Sequence, residues 1–332
     1  MANSVAKIVR TDRELEVPAV DAGLRADGHE LVLLPDGISE SDLVDASRDA
    51  VLLLMCYTPV TRRVIEAAEK LKGIVKYGVG IDAIDIDAAR SRGIPVANVP
   101  EYAEETVAEG AFALMVALAK KLKPLQRAMD SRGWVWPTSA WLASDLAGKT
   151  VGIVGLGRIG TSFARMAAGF RMRVLAYDPY VKGTEKDLRA MLAECDFVSV
   201  HCVLNAQTRG LIGEAELGAM KRSAYLINVS RGAIVDEIAL LKALKEHRIA
   251  GAALDVYSRE PLARQGHPLS ALYAMDNVIL LPHLTFYTHE AMARLEAETL
   301  ERCREVIAGR PLTVKSRDPR LRAQTRGVRY DG

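Results

Sequence analysis

Short apolar, β-branched runs alternate with polar stretches of helical spacing along most of this chain. In the first hundred residues the runs are KIVRT, HELVLL, AVLLLM, GIVKYG and IPVANV. Between them lie ESDLVDASRD, TRRVIEAAEKL and DIDAARSRG. Strands that alternate with helices predict a parallel sheet covered on both faces. A long helix is expected from about 104 to 121, where AFALMVALA reads as buried. An irregular segment follows that holds all three tryptophans, Trp134, Trp136 and Trp141. A second alternating series starts at Thr150, with strand candidates TVGIVG, MRVLAYD, DFVSVH, AYLINVS, GAALDV and NVILLP. Six strands is the count of a complete dinucleotide-binding sheet.

Composition narrows this α/β reading without changing it. A length of 332 residues suggests two domains, at about 150 residues each. An apolar fraction of 49% and a net charge of +2 describe a globular protein with no electrostatic signature of nucleic acid or membrane. Cys56, Cys195, Cys202 and Cys303 lack CxxC spacing, so a reduced, cytoplasmic protein is expected. The N-terminus shows no apolar core of a signal peptide, and no run approaches the roughly 20 residues that span a bilayer.

The strongest local motif is TVGIVGLGRIG at 150–160. Gly155, Gly157 and Gly160 match G-x-G-x-x-G between an apolar strand and a helix. Gly155 allows the tight turn, Gly157 lets backbone approach a pyrophosphate, and Gly160 lets helix pack on strand. The helix N-terminus offers N–H groups to the phosphates. Asp178 ends the next strand, where its carboxylate suits an adenosine ribose and repels a 2′-phosphate. No arginine follows it directly, so NAD is expected rather than NADP.

Three ionisable residues follow three successive strand candidates. Arg231 comes after LINV, Glu260 after GAALDV and His283 after NVILL. Ligands of open parallel sheets bind outside the carboxyl ends of the strands, so the three side chains can converge. An imidazole can move a hydroxyl proton near neutrality, a carboxylate orients it and favours its protonated form, and an arginine holds a substrate carboxylate. Singly, each has a plainer reading: a helix cap for Arg231, a turn before Pro261 for Glu260, a loop after Pro282 for His283. His289, six residues beyond His283, reads as structural.

These residues carry a resemblance. The segments KYGVGIDAID (76–85), NVPEYAEETVAEGAFALM (98–115), LAGKTVGIVGLGRIG (146–160), LINVSRGAIVDE (226–237), AALDVYSREPL (252–262) and NVILLPH (277–283) resemble the NAD-dependent D-2-hydroxyacid dehydrogenases. That family includes D-lactate, D-glycerate and 3-phosphoglycerate dehydrogenases. The resemblance implies His283 as acid/base, Glu260 as its partner and Arg231 as the carboxylate-binding residue. It puts Val79 and Gly80 on the substrate-carboxylate loop, and Arg158 and Ile159 at the pyrophosphate turn. Val203 and Thr208 fall near adenosine, Val229 and Asp255 near nicotinamide, and Thr106 near the reaction centre. It implies two doubly wound domains. A flavodoxin-like substrate domain would span 1–101 and be completed by 285–332. A Rossmann NAD-binding domain would span 102–284. A homodimer is implied through the tryptophan arm and long helix, although an exposed loop or a pocket lining would also account for the tryptophans.

Some features qualify the substrate. Phosphoglycerate-acting relatives carry an arginine where this chain has Met55, flanked by Cys56 and Tyr57. Lys76 remains a cation nearby. A pocket of Met55, Tyr57 and Tyr77 predicts a neutral or moderately apolar substrate tail, and the chain after its last helix is short for a regulatory domain. The pair Phe286–Tyr287 also resembles NAD(H)-binding corepressors, a binding-module alternative to an enzyme. Cys195, His201 and Cys202 lack zinc spacing and read as core, with no metal expected. The tail 311–332, with six Lys/Arg and two Asp, reads as solvated, or as a subunit contact.

Overall fold

A computed structural model of the chain describes residues 5–331. Strands β1 (Lys7–Arg10), β2 (Glu30–Leu33), β3 (Leu52–Met55), β4 (Gly73–Lys76) and β5 (Val96–Asn98) form one sheet in the order β2-β1-β3-β4-β5. Strands β6 (Thr150–Val154), β7 (Arg173–Tyr177), β8 (Phe197–Val200), β9 (Tyr225–Asn228), β10 (Gly251–Leu254) and β11 (Val278–Leu280) form a second, ordered β11-β10-β9-β8-β6-β7. All pairings in both sheets are parallel. The chain divides into two compact units. One holds residues up to Ala103 and from Thr288 onward, the other Glu104–Tyr287.

The central strands are buried at every position. LLLM of β3, GIVK of β4 and TVGIV of β6 face helices on both sides. That is why their sequences run apolar rather than alternating. Some helices start where an oxygen-bearing side chain accepts a first-turn N–H: Ser39 from Asp42 at 3.1 Å, Thr288 from Ala291 at 3.2 Å. His289 is the first residue of the helix His289–Ile307.

In the second sheet the chain changes its direction of growth between β6 and β8, which is the ligand-binding switch point of such sheets. The strand count matches the sequence expectation. Beyond β7, Glu185 N donates to Ala176 O at 2.8 Å.

The basic tail is folded, which corrects its reading as a solvated segment. It forms β12 (Leu312–Val314), a turn of helix at Pro319–Arg322 and β13 (Val328–Tyr330), with β12 and β13 paired in parallel. Leu312, Val314 and Leu321 are fully buried. Gln324 completes the edge of β5, accepting from Val96 N at 2.7 Å and donating to Val96 O at 2.9 Å. Glu305, also buried, holds Arg302 at 2.9 Å and Arg329 at 3.1 Å.

Candidate active site

The glycine turn after β6 is shaped by close contacts. Gly155 has φ +98°, and a Cβ there would sit 2.4 Å from Cys202 N. A Cβ on Gly160 would meet Gly155 O at 2.1 Å, so neither position accepts a side chain. Gly157 caps the helix Arg158–Gly169 without a side-chain bond, and a Cβ there would meet nothing within 4 Å. The open space over a bare helix N-terminus fits a pyrophosphate.

Asp178 is tied to this turn. Its Oδ2 accepts from Leu156 N and its Oδ1 from Tyr180 N, each at 2.9 Å. Each oxygen keeps a lone pair for a ribose hydroxyl. Arg158, on the first turn with Ile159, pairs with Glu104 at 3.0 Å. Thr106, on the same helix as Glu104, is buried. The loop after β8 closes on itself: Thr208 Oγ donates to Val203 O at 2.6 Å, and the Val203 side chain is exposed. His201 lies at the head of this loop, its Nε2 2.8 Å from Ser199 Oγ, and burial pushes its imidazole down to about 3. Among the described residues no group of histidine, cysteine and carboxylate side chains could hold a metal.

The structure brings Glu260 and His283 together. His283 Nδ1 lies 2.9 Å from Glu260 Oε2, and Glu260 Oε1 accepts from Tyr257 N at 2.9 Å. Burial alone would raise the Glu260 carboxyl. The bond to His283, the charge of His283, the Tyr257 N–H and the charge of Arg231 outweigh it and hold the group below the ordinary glutamate value. With Glu260 ionised, Nδ1 is the donor and Nε2 is left for proton transfer. Arg231 follows β9, its Nη1 donating to Ser230 O at 2.8 Å.

Supporting residues escaped the sequence reading. Asn228 Nδ2 donates to Arg231 O at 2.9 Å, its Oδ1 accepts from Ser230 N, and Ser230 Oγ reaches Cys202 O at 2.5 Å. These bonds fix the turn that carries Arg231, and Val229 inside it is buried. A Cβ on Gly232 would sit 2.1 Å from Ser258 N, so the Arg231 and Glu260 loops touch through that glycine. The only signal for them was a polar pair flanking a valine at a strand end. Asp255, assigned to the cofactor by resemblance, is fully buried and directs its carboxylate to Leu284 N, Thr285 N and Thr285 Oγ.

In the other unit, Val79 is exposed and its carbonyl accepts from Asn98 Nδ2 at 2.5 Å; Gly80 follows it on the same loop. Tyr77 and Met55 do not line a pocket: both are fully buried. The Tyr77 hydroxyl donates to Thr11 O at 2.6 Å, and burial raises its pKa. Asp12 instead shapes the end of β3. Its carboxylate accepts from Cys56 N at 2.8 Å, Tyr57 N at 3.0 Å and Thr58 Oγ at 2.7 Å. Tyr57 is the exposed residue there. The buried Lys76 ammonium lies 3.2 Å from Cys56 Sγ and 5.4 Å from the Tyr57 ring centre.

Known proteins resemble this chain over most of its length. The profile of the D-isomer specific 2-hydroxyacid dehydrogenase NAD-binding domain matches residues 112–285. A glyoxylate reductase of Korarchaeum cryptofilum is 42% identical over 276 residues, 79% of this chain and 82% of that protein. A D-3-phosphoglycerate dehydrogenase of Methanocaldococcus jannaschii is 39% identical over 82% of this chain, which covers 53% of that longer protein. The crystal structure of D-lactate dehydrogenase from Aquifex aeolicus, complexed with NAD and lactic acid, superposes with a TM-score of 0.82 at 29% identity, over 91% of this chain and 96% of that one. This chain belongs to the D-isomer specific 2-hydroxyacid dehydrogenase family and is an NAD-dependent oxidoreductase.

Proposed function

We propose that the protein reduces small 2-oxo acids to D-2-hydroxy acids, with His283 as acid/base, Glu260 as its partner and Arg231 as the carboxylate-binding residue. The observation that carries this reading is the 2.9 Å contact of His283 with a Glu260 held ionised beside Arg231. NAD(H) held at the glycine turn would supply the hydride for the 2-oxo carbon. Arg231 grips the substrate carboxylate and polarises the adjacent carbonyl. His283 delivers the Nε2 proton to the carbonyl oxygen, while Glu260 stabilises the imidazolium. Gly155, Gly157, Gly160, Arg158 and Ile159 would hold the phosphates, and Asp178 would accept from the adenosine ribose. Thr106, Val203, Thr208 and Val229 would border the cofactor, whereas the buried Asp255 serves the Leu284–Thr285 backbone instead. In the first unit, the Val79 and Gly80 N–H groups contact substrate.

A small, uncharged substrate tail is favoured over a phosphorylated one. The segment Met55–Thr58 at the end of β3 holds no arginine, and two buried cations nearby are engaged, Lys76 by Cys56 and Arg10 by Asp21. Glyoxylate and hydroxypyruvate are therefore the expected substrates, ahead of phosphohydroxypyruvate. We also infer a cytoplasmic homodimer. Trp134, Trp136 and Leu142 are each more than 70% exposed, an apolar arm that suits a second copy, and no disulfide joins the cysteines. Among the described residues no helix is long and apolar enough to cross a membrane. The stereochemical test is oxidation of paired 2-hydroxy acids with NAD: turnover of D-lactate or D-glycerate is expected, and turnover confined to the L-enantiomers would overturn the assignment.

A further inference from the structure

The backbone at His283 is left-handed, with φ +59°. A residue with a Cβ holds that conformation only where its neighbours impose it. On the entry side, the Tyr257 hydroxyl donates to Leu281 O at 2.9 Å. On the exit side, the fully buried Asp255 carboxylate accepts from Leu284 N at 2.9 Å through Oδ1. Its Oδ2 accepts from Thr285 N at 3.1 Å and from Thr285 Oγ at 2.6 Å. The hydroxyl makes the shortest of the three bonds. Behind it stands Gly110 of the helix Glu104–Ala119, where a Cβ would lie 2.8 Å from Thr285 Cβ and 3.0 Å from Cγ2. The threonine side chain is thus wedged between a helix backbone and a buried carboxylate.

We propose that Thr285 is a positioning residue: through Asp255 it fixes the left-handed backbone at His283 and so keeps the imidazole on Glu260. The proposal rests on the reading of His283 as the acid/base. Without the hydroxyl, Oδ2 keeps one 3.1 Å bond in a site closed to water. The carboxylate then turns toward other donors, residues 284–285 lose their anchor, and the ring leaves its alignment. The threonine methyl matters as well, because it fills the space that Gly110 leaves.

Thr285→Val, Thr285→Ser and Gly110→Ala test this. The readouts are kcat and KM with a 2-oxo acid and NADH, the melting temperature, and the ring-nitrogen NMR shifts of 15N-histidine protein, with His283 assigned by His283→Gln. The wild type is expected to show His283 as a single Nδ1–H tautomer. Thr285→Val is expected to show mixed tautomers and a kcat lower by roughly 10- to 100-fold, with the KM for NADH within about twofold, the scatter of an unaltered site. Thr285→Ser recovers the tautomer and most of kcat. Gly110→Ala keeps the hydroxyl but displaces it, so it reproduces both losses and stands in should Thr285→Val fail to fold. An unchanged tautomer in either disruptive variant, or no recovery with serine, overturns the proposal. A locked tautomer in a wild type that turns over no 2-oxo acid would overturn the proposed function instead and leave the positioning role standing.

Discussion

Replacing Glu260 by glutamine keeps the shape of the side chain and removes its charge. In the wild type Oε1 accepts from Tyr257 N and Oε2 from His283 Nδ1, both at 2.9 Å. In Glu260→Gln the amide oxygen takes the Tyr257 N–H, which turns the amide NH2 toward His283. Nδ1 must then accept, so the neutral ring carries its proton on Nε2, the wrong tautomer for alcohol oxidation. For reduction the imidazolium loses its counter-charge. A hydrogen bond to a charged group contributes about 1.5–3 kcal/mol. The His283 and Glu260 side chains are 22% and 32% exposed, so partial screening favours the lower half of that range. At about 1.4 kcal/mol per decade, kcat/KM should fall roughly 10- to 40-fold. Because the Glu260 pKa is depressed, the charge effect persists from neutrality down through the ordinary glutamate range. The stability it lends is present above the unfolded value near 4.5 and is lost as pH falls through the lower folded value. The assay is steady-state NADH oxidation with a 2-oxo acid from pH 6 to 8. A variant within twofold of wild type throughout would refute the pairing argument.

Other outcomes follow from the same structure. Asp178→Ser removes the charge that opposes a 2′-phosphate, so the ratio of kcat/KM for NADPH over NADH should rise about 10- to 100-fold; an unchanged ratio in parallel assays would mean that Asp178 does not read the ribose. Burial holds the folded-state His201 neutral down to about 3, whereas the unfolded chain takes up a proton below 6.5. Stability should therefore fall as pH drops through that window, by up to roughly 3 kcal/mol at pH 4. Urea titrations of His201→Asn should lack that part of the acid slope, and parallel slopes in both proteins would contradict the assignment. Trp134→Ser with Trp136→Ser should convert a dimer to monomer in sedimentation, and an unchanged mass would move the subunit contact elsewhere.

The strands and the glycine turn were readable because each follows from local pattern: an apolar run of fixed length, or glycines spaced by a turn that leaves no room for Cβ. The placement of Arg231, Glu260 and His283 was readable through topology, since each follows a strand of one parallel sheet. Groups that act across long sequence distance were not. Asp255 and Thr285 are 30 residues apart, and neither shows in the sequence that it anchors the His283 backbone. Tyr77 was expected to line the substrate pocket, yet its hydroxyl turns inward to Thr11. The tail looked solvated because charge dominates its composition. Its order comes from a buried glutamate, Glu305, that gathers Arg302 and Arg329, and from the single amide of Gln324 on β5. Such pairings depend on partners that spacing alone does not identify.

The central claim is that His283, oriented by Glu260, moves the proton in a hydride-transfer reaction on a 2-oxo acid. Its most direct test is absorbance-monitored NADH oxidation with glyoxylate, hydroxypyruvate, phenylpyruvate and phosphohydroxypyruvate, comparing wild type with His283→Ala. Wild-type turnover should be fastest on the unphosphorylated acids, and the variant should lose roughly 10²- to 10⁴-fold with NADH binding retained. Full activity in His283→Ala, or tight NADH binding by a wild type that turns over none of the four acids, would contradict it.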